Sequence, residues 1–261
     1  MEKARLDSYL FDRGFCKSRQ LAKTLISDGF VFVNSEITRK PSFHVSDKDK
    51  IFVSEYPKYV SRGGYKLEKA FSVFKINAEN RECLDIGAST GGFTDCLLQN
   101  GAAKVYAVDV GRNQLDSSLL GDERVVSLEK THVKDISSKI SETKHFGIIT
   151  IDVSFISLEK VIPFIKSYIS SETDVICLVK PQFEIGKTNK GIVRDKKDHF
   201  TVLCQVASFI EKENLFVAGA DFSPVKGGDG NTEFLFYIKS FDTGYSPDFK
   251  SLVEKARTAG R

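Results

Sequence analysis

The 261-residue sequence lacks most of the features that would settle a compartment or a metal at once. Its five cysteines (Cys16, Cys83, Cys96, Cys177 and Cys204) are scattered and odd in number, with no C-x-x-C pair and no Cys/His cluster. That excludes a zinc site of ordinary spacing and a disulfide framework, and it suits a reducing compartment. No apolar run approaches the roughly 18 residues of a membrane-spanning helix. The opening MEKARLDSYLFDRG spreads charge where a secretion signal would have an apolar stretch. Internal repeats and low-complexity segments are absent. With 41% hydrophobic and 28% charged residues, disorder, collagen and a coiled-coil rod are excluded as well. The expectation is a soluble, cytoplasmic protein of one large or two smaller domains, with no metal and no membrane partner.

There is also little excess of either charge: 38 Lys+Arg stand against 35 Asp+Glu, a net of +3. The distribution is more informative than the sum. Met1 to Lys69 holds 14 basic and 9 acidic residues, whereas the remainder holds 24 and 26. All of the surplus positive charge lies in the first quarter of the chain.

The style of the sequence changes near residue 56. Before it, Leu6, Tyr9 and Leu10 recur at helical spacing, and Ser18 is placed to cap a second helix bearing Leu21, Leu25 and Ile26. Gly29 is placed to end that helix, and Phe30–Asn34 and Ile51–Val53 read as strands. The expected organisation is a small α+β domain over residues 1–55, a stiff linker over 56–60 and a larger domain over 61–261. In the larger part, strand-like runs fall at Glu82–Ile86, Lys104–Val108, Val125–Leu128, Phe146–Ile151, Asp174–Val179, Leu215–Ala220 and Phe234–Ile238. Helical patterns at Gly92–Gln99, Ser157–Ile169 and Asp198–Glu213 fill most gaps. Alternation of this kind predicts a doubly wound α/β sheet. Only a Pro/Gly loop, Ser223–Asn231, separates the last two strands, so they should form an antiparallel hairpin. A mostly parallel seven-stranded Rossmann-like sheet ending in such a hairpin is the layout of class I S-adenosylmethionine (SAM) methyltransferases.

Leu84-Asp85-Ile86-Gly87-Ala88-Ser89-Thr90-Gly91-Gly92-Phe93 ends the first of these strands and opens a helix. Glycines permit the tight turn, and free N–H groups at the helix start can hold a carboxylate. About 20 residues on, Asp109 ends the next strand, where such folds grip a ribose diol. The spacing is D-x-G-x-x-x-G-G rather than G-x-G-x-x-G, which leaves little room for a pyrophosphate. A cofactor containing a nucleoside is expected here. Four further polar groups fall where ligand crevices form: Asp152 and Lys180 end strands, Glu233 begins the last strand, and Lys66 lies in the helix leading in. Pro181 stiffens the chain after Lys180. Two lysines with two carboxylates would form a nearly neutral site in which desolvation and a neighbouring cation make one lysine available as a base toward a sugar hydroxyl.

On these residues the chain resembles the TlyA family, known as hemolysin A or as ribosomal RNA 2′-O-ribose methyltransferases, in which an S4 domain precedes an FtsJ/RrmJ-type methyltransferase domain. The likeness rests on Ala4-Arg5-Leu6-Asp7, Lys17-Ser18-Arg19-Gln20-Leu21-Ala22 and Gly29–Asn34 in the first part. In the second it rests on Tyr59–Leu67, Asp85–Asp95, Asp152–Ser157, Val179–Glu184, Gly191–Asp195 and Gly230–Phe234. The resemblance implies methyl transfer from SAM to the 2′-hydroxyl of a cytidine in 23S, and as a further candidate 16S, ribosomal RNA within ribosomal subunits. It maps a Lys-Asp-Lys-Glu catalytic tetrad onto Lys66, Asp152, Lys180 and Glu233, with Lys180 deprotonating or orienting the hydroxyl. It assigns SAM to Asp85, Gly87, Ala88, Ser89, Thr90 and Gly91 at the amino-acid end, Asp109 at the ribose and Asp135 toward the adenine. Arg112-Asn113 replaces the Tyr-Gly frequent in relatives at the cofactor rim.

Arg5, Lys17, Ser18, Arg19, Lys23, Arg39, Lys40 and Arg62 are the candidates for gripping RNA, with Arg13 nearby, because basic groups on a small domain supply phosphate contacts. Two other classes stay open: a membrane-lytic hemolysin, for which the sequence offers no spanning or secreted segment, and a non-catalytic RNA-binding assembly factor, which would tolerate loss of Lys180.

Overall fold

The computed structural model describes residues 3–54, 58–141, 143–185, 191–227 and 230–259. Tyr56 and Pro57 of the expected linker lie outside them, as do Gly228 and Asp229 of the hairpin loop. The chain forms two compact units, Met1–Arg62 and Gly63–Arg261.

The first unit runs β1 (Ala4–Arg5), α1 (Leu6–Asp12), α2 (Arg19–Asp28), β2 (Val31–Val33), β3 (Glu36–Ile37), β4 (His44–Val45) and β5 (Ile51–Val53). β1 pairs with β4, and β3-β2-β5 form a second antiparallel sheet. Ser18 begins α2 by accepting a hydrogen bond from Leu21 N at 3.1 Å, a cap worth about 1 kcal/mol. Gly29, at φ +84°, ends it in the left-handed conformation that glycine adopts without strain. Leu6, Leu10, Leu25, Ile26, Val31 and Val45 are fully buried and form the unit's own core.

The second unit continues with α3 (Gly63–Phe74), β6 (Glu82–Ile86), α4 (Gly92–Gln99), β7 (Lys104–Val108), α5 (Ser117–Leu120), β8 (Val125–Leu128) and β9 (Ile148–Ile151). It is completed by α6 (Ile162–Ile165), β10 (Asp174–Val179), α7 (Pro181–Glu184), α8 (Lys196–Lys212), β11 (Phe216–Phe222), β12 (Phe234–Lys239) and α9 (Phe249–Thr258). The sheet order is β11-β12-β10-β9-β6-β7-β8; β12 is antiparallel to both neighbours and the other pairs are parallel. The order reverses between β6 and β9, and ligand crevices form outside the carboxyl ends of strands at such a point.

Several expected boundaries shift, three of them for reasons visible in the local hydrogen bonding or sequence. β9 starts at Ile148, because Phe146 N–H bonds to Tyr168 O instead of to a strand. β11 starts at Phe216, because Leu215 N–H closes the end of α8 on Ile210 O. The helix expected over Ser157–Ile169 is broken into the 3₁₀ turns Leu158–Lys160 and Lys166–Tyr168 around the single turn of α6. Pro163 sits in the first turn of α6, where its missing N–H does no harm, and a proline there cannot extend a helix begun earlier. Ile162, Ile165 and Tyr168 are nevertheless buried against the sheet. No described helix is long and apolar enough to cross a membrane.

Candidate active site

The registers of the sheet account for the site. Ile86 pairs with Ile151, so Gly87 and Asp152 leave the sheet side by side. Val179 pairs with Phe234 in the antiparallel ladder, so the next residue of one strand, Lys180, lies opposite the preceding residue of the other, Glu233. Lys66 enters from α3.

Around Gly87 the chain packs too tightly for any side chain. A Cβ there would lie 2.5 Å from the Asp152 carbonyl oxygen, and φ is +83°. Gly91, at φ +95°, caps α4 with its α-carbon against the Leu119 and Leu115 side chains. Asp109 braces the loop: Oδ2 accepts from Ser89 N at 2.8 Å and Oδ1 from Gly111 N at 2.6 Å. A cavity of about 970 Å³ opens here, walled by Gly87, Ser89, Asp109, Val110 and Asp152 among others. Ala88 is buried, and Ala88, Thr90 and Gly91 shape the turn behind the wall. Asp85, expected to touch the cofactor, is instead fully buried below it, accepting from Thr94 Oγ1 at 2.7 Å and Thr150 Oγ1 at 2.8 Å. Burial pushes its carboxyl up to about 6, against those two hydrogen bonds. Asp135 stands exposed on a 3₁₀ turn; Val133 and Lys134 line the cavity in its place.

Lys66, Asp152, Lys180 and Glu233 come together. Lys66 Nζ donates to Glu233 Oε2 at 2.7 Å and lies 3.7 Å from Asp152 Oδ2; Lys180 Nζ pairs with Asp152 Oδ1 at 2.5 Å. Lys66, Lys180 and Glu233 are 8%, 7% and 3% exposed, so these charges compensate one another rather than meeting bulk water. Burial alone would raise the Asp152 carboxyl, but Lys66 and Lys180 outweigh it and hold it below the usual carboxylate range. Asp152 belongs both to this cluster and to the cavity wall. Behind Glu233, the Asn231 side chain accepts from Val193 N at 2.8 Å, and the buried His199 ring meets Val193 O at 3.1 Å. This explains why the blocks Gly191–Asp195 and Gly230–Phe234 go together.

The loop after β9 supplies groups that pattern reading missed. Ser154 Oγ accepts from Lys180 Nζ at 3.0 Å. Phe155 has φ +65°, a conformation costing an aromatic residue on the order of 1–3 kcal/mol, and its ring is 90% exposed beside Phe183 at 5.0 Å. Glu184 binds the end of the same loop through Ser157 Oγ at 2.6 Å and Leu158 N at 3.0 Å. Burial raises the Glu184 carboxyl despite these hydrogen bonds. Phe155 lies within the block Asp152–Ser157 on which the family likeness rests, but a lone Phe in a loop carries no periodic signal that would mark it as exposed.

In the first unit Lys17, Lys23 and Lys40 are exposed at the start of α2 and beyond β3, and Arg19, also exposed, lies 3.9 Å from Asp7. The other basic candidates are engaged locally. Arg5 grips the buried Asp7 through two hydrogen bonds at 3.0 and 2.9 Å, Arg39 donates to Ser27 O at 3.1 Å, and Arg62 pairs with Asp28 at 3.0 Å. Ser18 is spent on its cap. Among the described residues no group of His, Cys, Asp and Glu could hold a metal ion.

Residues 59–240 match the FtsJ-like methyltransferase family and residues 4–51 match the S4 domain. The Bacillus subtilis protein YqxC, provisionally named an rRNA methyltransferase, is 45% identical over 91% of this chain and 86% of its own. The 16S/23S rRNA (cytidine-2′-O)-methyltransferase TlyA of Mycobacterium tuberculosis is 38% identical over 91% of this chain and 90% of its own. A solved Streptococcus thermophilus protein, provisionally named a hemolysin, superposes with a TM-score of 0.78 at 40% identity, over 99% of this chain and 97% of that one.

Proposed function

The chain belongs to the FtsJ-like methyltransferase family, with an S4 domain ahead of the methyltransferase domain, and from that premise we propose that it methylates the ribose 2′-hydroxyl of a cytidine in ribosomal RNA, using SAM, on ribosomal particles in the cytoplasm. The observation that carries this reading is the convergence of Lys66, Lys180 and Glu233 on Asp152, which also walls a cavity lined by Asp109.

The residues around the cavity suit SAM. Asp109 offers a carboxylate to a ribose diol, Gly87 leaves backbone room for an amino-acid end, and Val110 and Val133 give apolar sides to a flat base. Bound there, SAM would supply an electrophilic methyl group. The remaining work falls to this chain. Lys180 orients the 2′-hydroxyl and, having first released its own proton to solvent, takes up the proton the hydroxyl loses as its oxygen bonds the methyl carbon. Asp152 fixes the Lys180 side chain, and Lys66, anchored by Glu233, balances the Asp152 charge. The outward Phe155 ring offers a stacking surface to a base lifted from its helix, as reaction on one nucleotide of a structured RNA requires. Lys17, Arg19, Lys23 and Lys40 supply phosphate contacts without sequence preference.

The test uses the full chain, labelled SAM and separated 30S, 50S and 70S particles. Label should enter cytidine 2′-O positions, and Lys180→Ala should lower the rate at least about 1,000-fold while SAM affinity stays within about threefold. SAM binding without labelling of any RNA would overturn the substrate. Full activity in Lys180→Ala would overturn the assignment of the base. Release of dye from protein-free liposomes would favour the lytic reading instead.

A further inference from the structure

The carboxylate of Glu184 plays no part in the reaction outlined above, yet it spans the two loops that do. Glu184 ends α7, the short helix that starts immediately after Lys180. Across from it runs the loop from Asp152 to Leu158. The two segments meet at three successive points: Lys180 on Asp152 and Ser154, Phe183 on Phe155, and Glu184 on Ser157 and Leu158. Phe155, at the middle point, is held at φ +65°, and a bulky residue leaves the left-handed region unless its surroundings forbid it. Its contact with Phe183 is a tilted one, with the rings 49° apart and the Phe155 ring 90% exposed, and such a contact permits sliding. The carboxylate bonds are directional and charge-assisted, and they fix the chain two and three residues further on.

We propose that Glu184 is a positioning residue: by gripping Ser157 and Leu158 it keeps Ser154 and Phe155 in the left-handed turn that sets the Ser154 hydroxyl against Lys180 and turns the Phe155 ring outward. Without the grip the turn relaxes to negative φ, and Ser154 and Phe155 move together. The consequence for methyl transfer rests on the function proposed above; the grip itself does not. The rival account is that Glu184 merely caps the 3₁₀ turn Leu158–Lys160, in which case its loss would lower stability together with activity.

The experiment compares full-length wild type, Glu184→Ala, Glu184→Gln and Ser157→Ala. Its readouts are kcat and KM on 30S and 50S subunits, SAM affinity, melting temperature and hydrogen exchange at the Leu158 amide. Glu184→Ala should lower kcat at least about tenfold with melting temperature little changed, because small displacements of reacting groups cost rate steeply. SAM affinity should fall too, since Ser154 and Phe155 also wall the cavity. Its Leu158 amide should exchange at least about tenfold faster. Glutamine can still accept from Leu158 N and donate to the Ser157 hydroxyl, so Glu184→Gln should recover kcat to within about threefold. Ser157→Ala, which removes one of the two bonds and also the cap the hydroxyl gives Glu159 N at 3.2 Å, should fall between them in kcat. Wild-type kcat in Glu184→Ala, unchanged exchange at Leu158, or parallel losses of kcat and stability in all three variants would each overturn the proposal. If the wild type labels no RNA, the proposed function fails, and the exchange measurement alone decides whether Glu184 holds the loop.

Discussion

Replacing Lys66 by methionine removes a buried positive charge while keeping an unbranched apolar stem of similar length. Lys66 Nζ lies 2.7 Å from Glu233 Oε2, and Glu233 is only 3% exposed, so water cannot take over the interaction. Breaking a buried ion pair from one side strands the partner's charge at a cost of about 3–5 kcal/mol. For a unit of this size each kcal/mol corresponds to roughly 2–4 °C, so Lys66→Met should melt roughly 6–20 °C lower. Removing the acid as well should reverse most of that, because replacing both members of a buried pair is near neutral. The informative measurement is a double-mutant cycle of Lys66→Met, Glu233→Gln and the double variant in thermal and urea unfolding. The transition that added SAM shifts upward belongs to the second unit. A coupling of at least about 2 kcal/mol is expected. A single variant within about 1 kcal/mol of wild type, or a double variant no more stable than Lys66→Met, would refute the buried-pair account.

Asp85 gives a pH dependence with a definite sign. Burial places its folded-state value near about 6 against 3.8 for the free group, so the folded protein binds the proton first. Its contribution is therefore fullest below about pH 4, declines as pH rises to about 6 and is flat above, by at most about 3 kcal/mol. Asp85→Asn should match wild type near pH 4 and exceed it at pH 7 in denaturant midpoints; parallel curves would contradict the assignment. Gly87→Ala would put a methyl 2.5 Å from the Asp152 carbonyl oxygen at a φ of +83°. A titration of SAM should show affinity reduced at least about tenfold, since a side chain in that conformation alone costs roughly 1–2 kcal/mol. Changing Lys17, Arg19 and Lys23 together to glutamine should lower the slope of log affinity for ribosomal RNA against log salt by about 2–3, at roughly 0.7–0.9 per phosphate contact, with SAM affinity unchanged.

The sheet was legible because its buried strands are short apolar runs bounded by polar or glycine residues. The limits of β6, β7, β8 and β10 fall where those runs begin and end. The pairs β1–β4 and β2–β3 were not, since two-residue strands have no period to detect. Asp152, Lys180 and Glu233 were found because each borders an apolar run, whereas Lys66, in the helix ahead of the sheet, is mapped by the family resemblance. Which partner each would meet depended on the register of Val179 with Phe234, and register is invisible in one strand read alone. Asp85 was misplaced for a related reason: an acid beside a glycine loop reads as a ligand contact, whereas its parity in β6 turns it toward Thr94 and Thr150. Arg5, Arg39 and Arg62 counted as free positive charge in the sequence, yet Asp7, the Ser27 carbonyl and Asp28 occupy them. The family resemblance, by contrast, covered the whole chain, and the FtsJ-like and S4 matches agree with it.

The position of β12 in the sheet governs when during synthesis the protein becomes competent. β12 lies between β10 and β11 and pairs with both, so β11 stays without its ladder partner until β12 has left the ribosome. The strand that fills this gap also brings Glu233 to Lys66, 167 residues earlier in the chain. A nascent or truncated chain ending before residue 233 would hold the glycine loop, Asp109, Asp152 and both lysines, and so would lack just one of the charges that close the cluster. Under the proposed function, chains that end before β12 would lack a complete cluster and, although made beside the RNA proposed as substrate, would leave it unmodified.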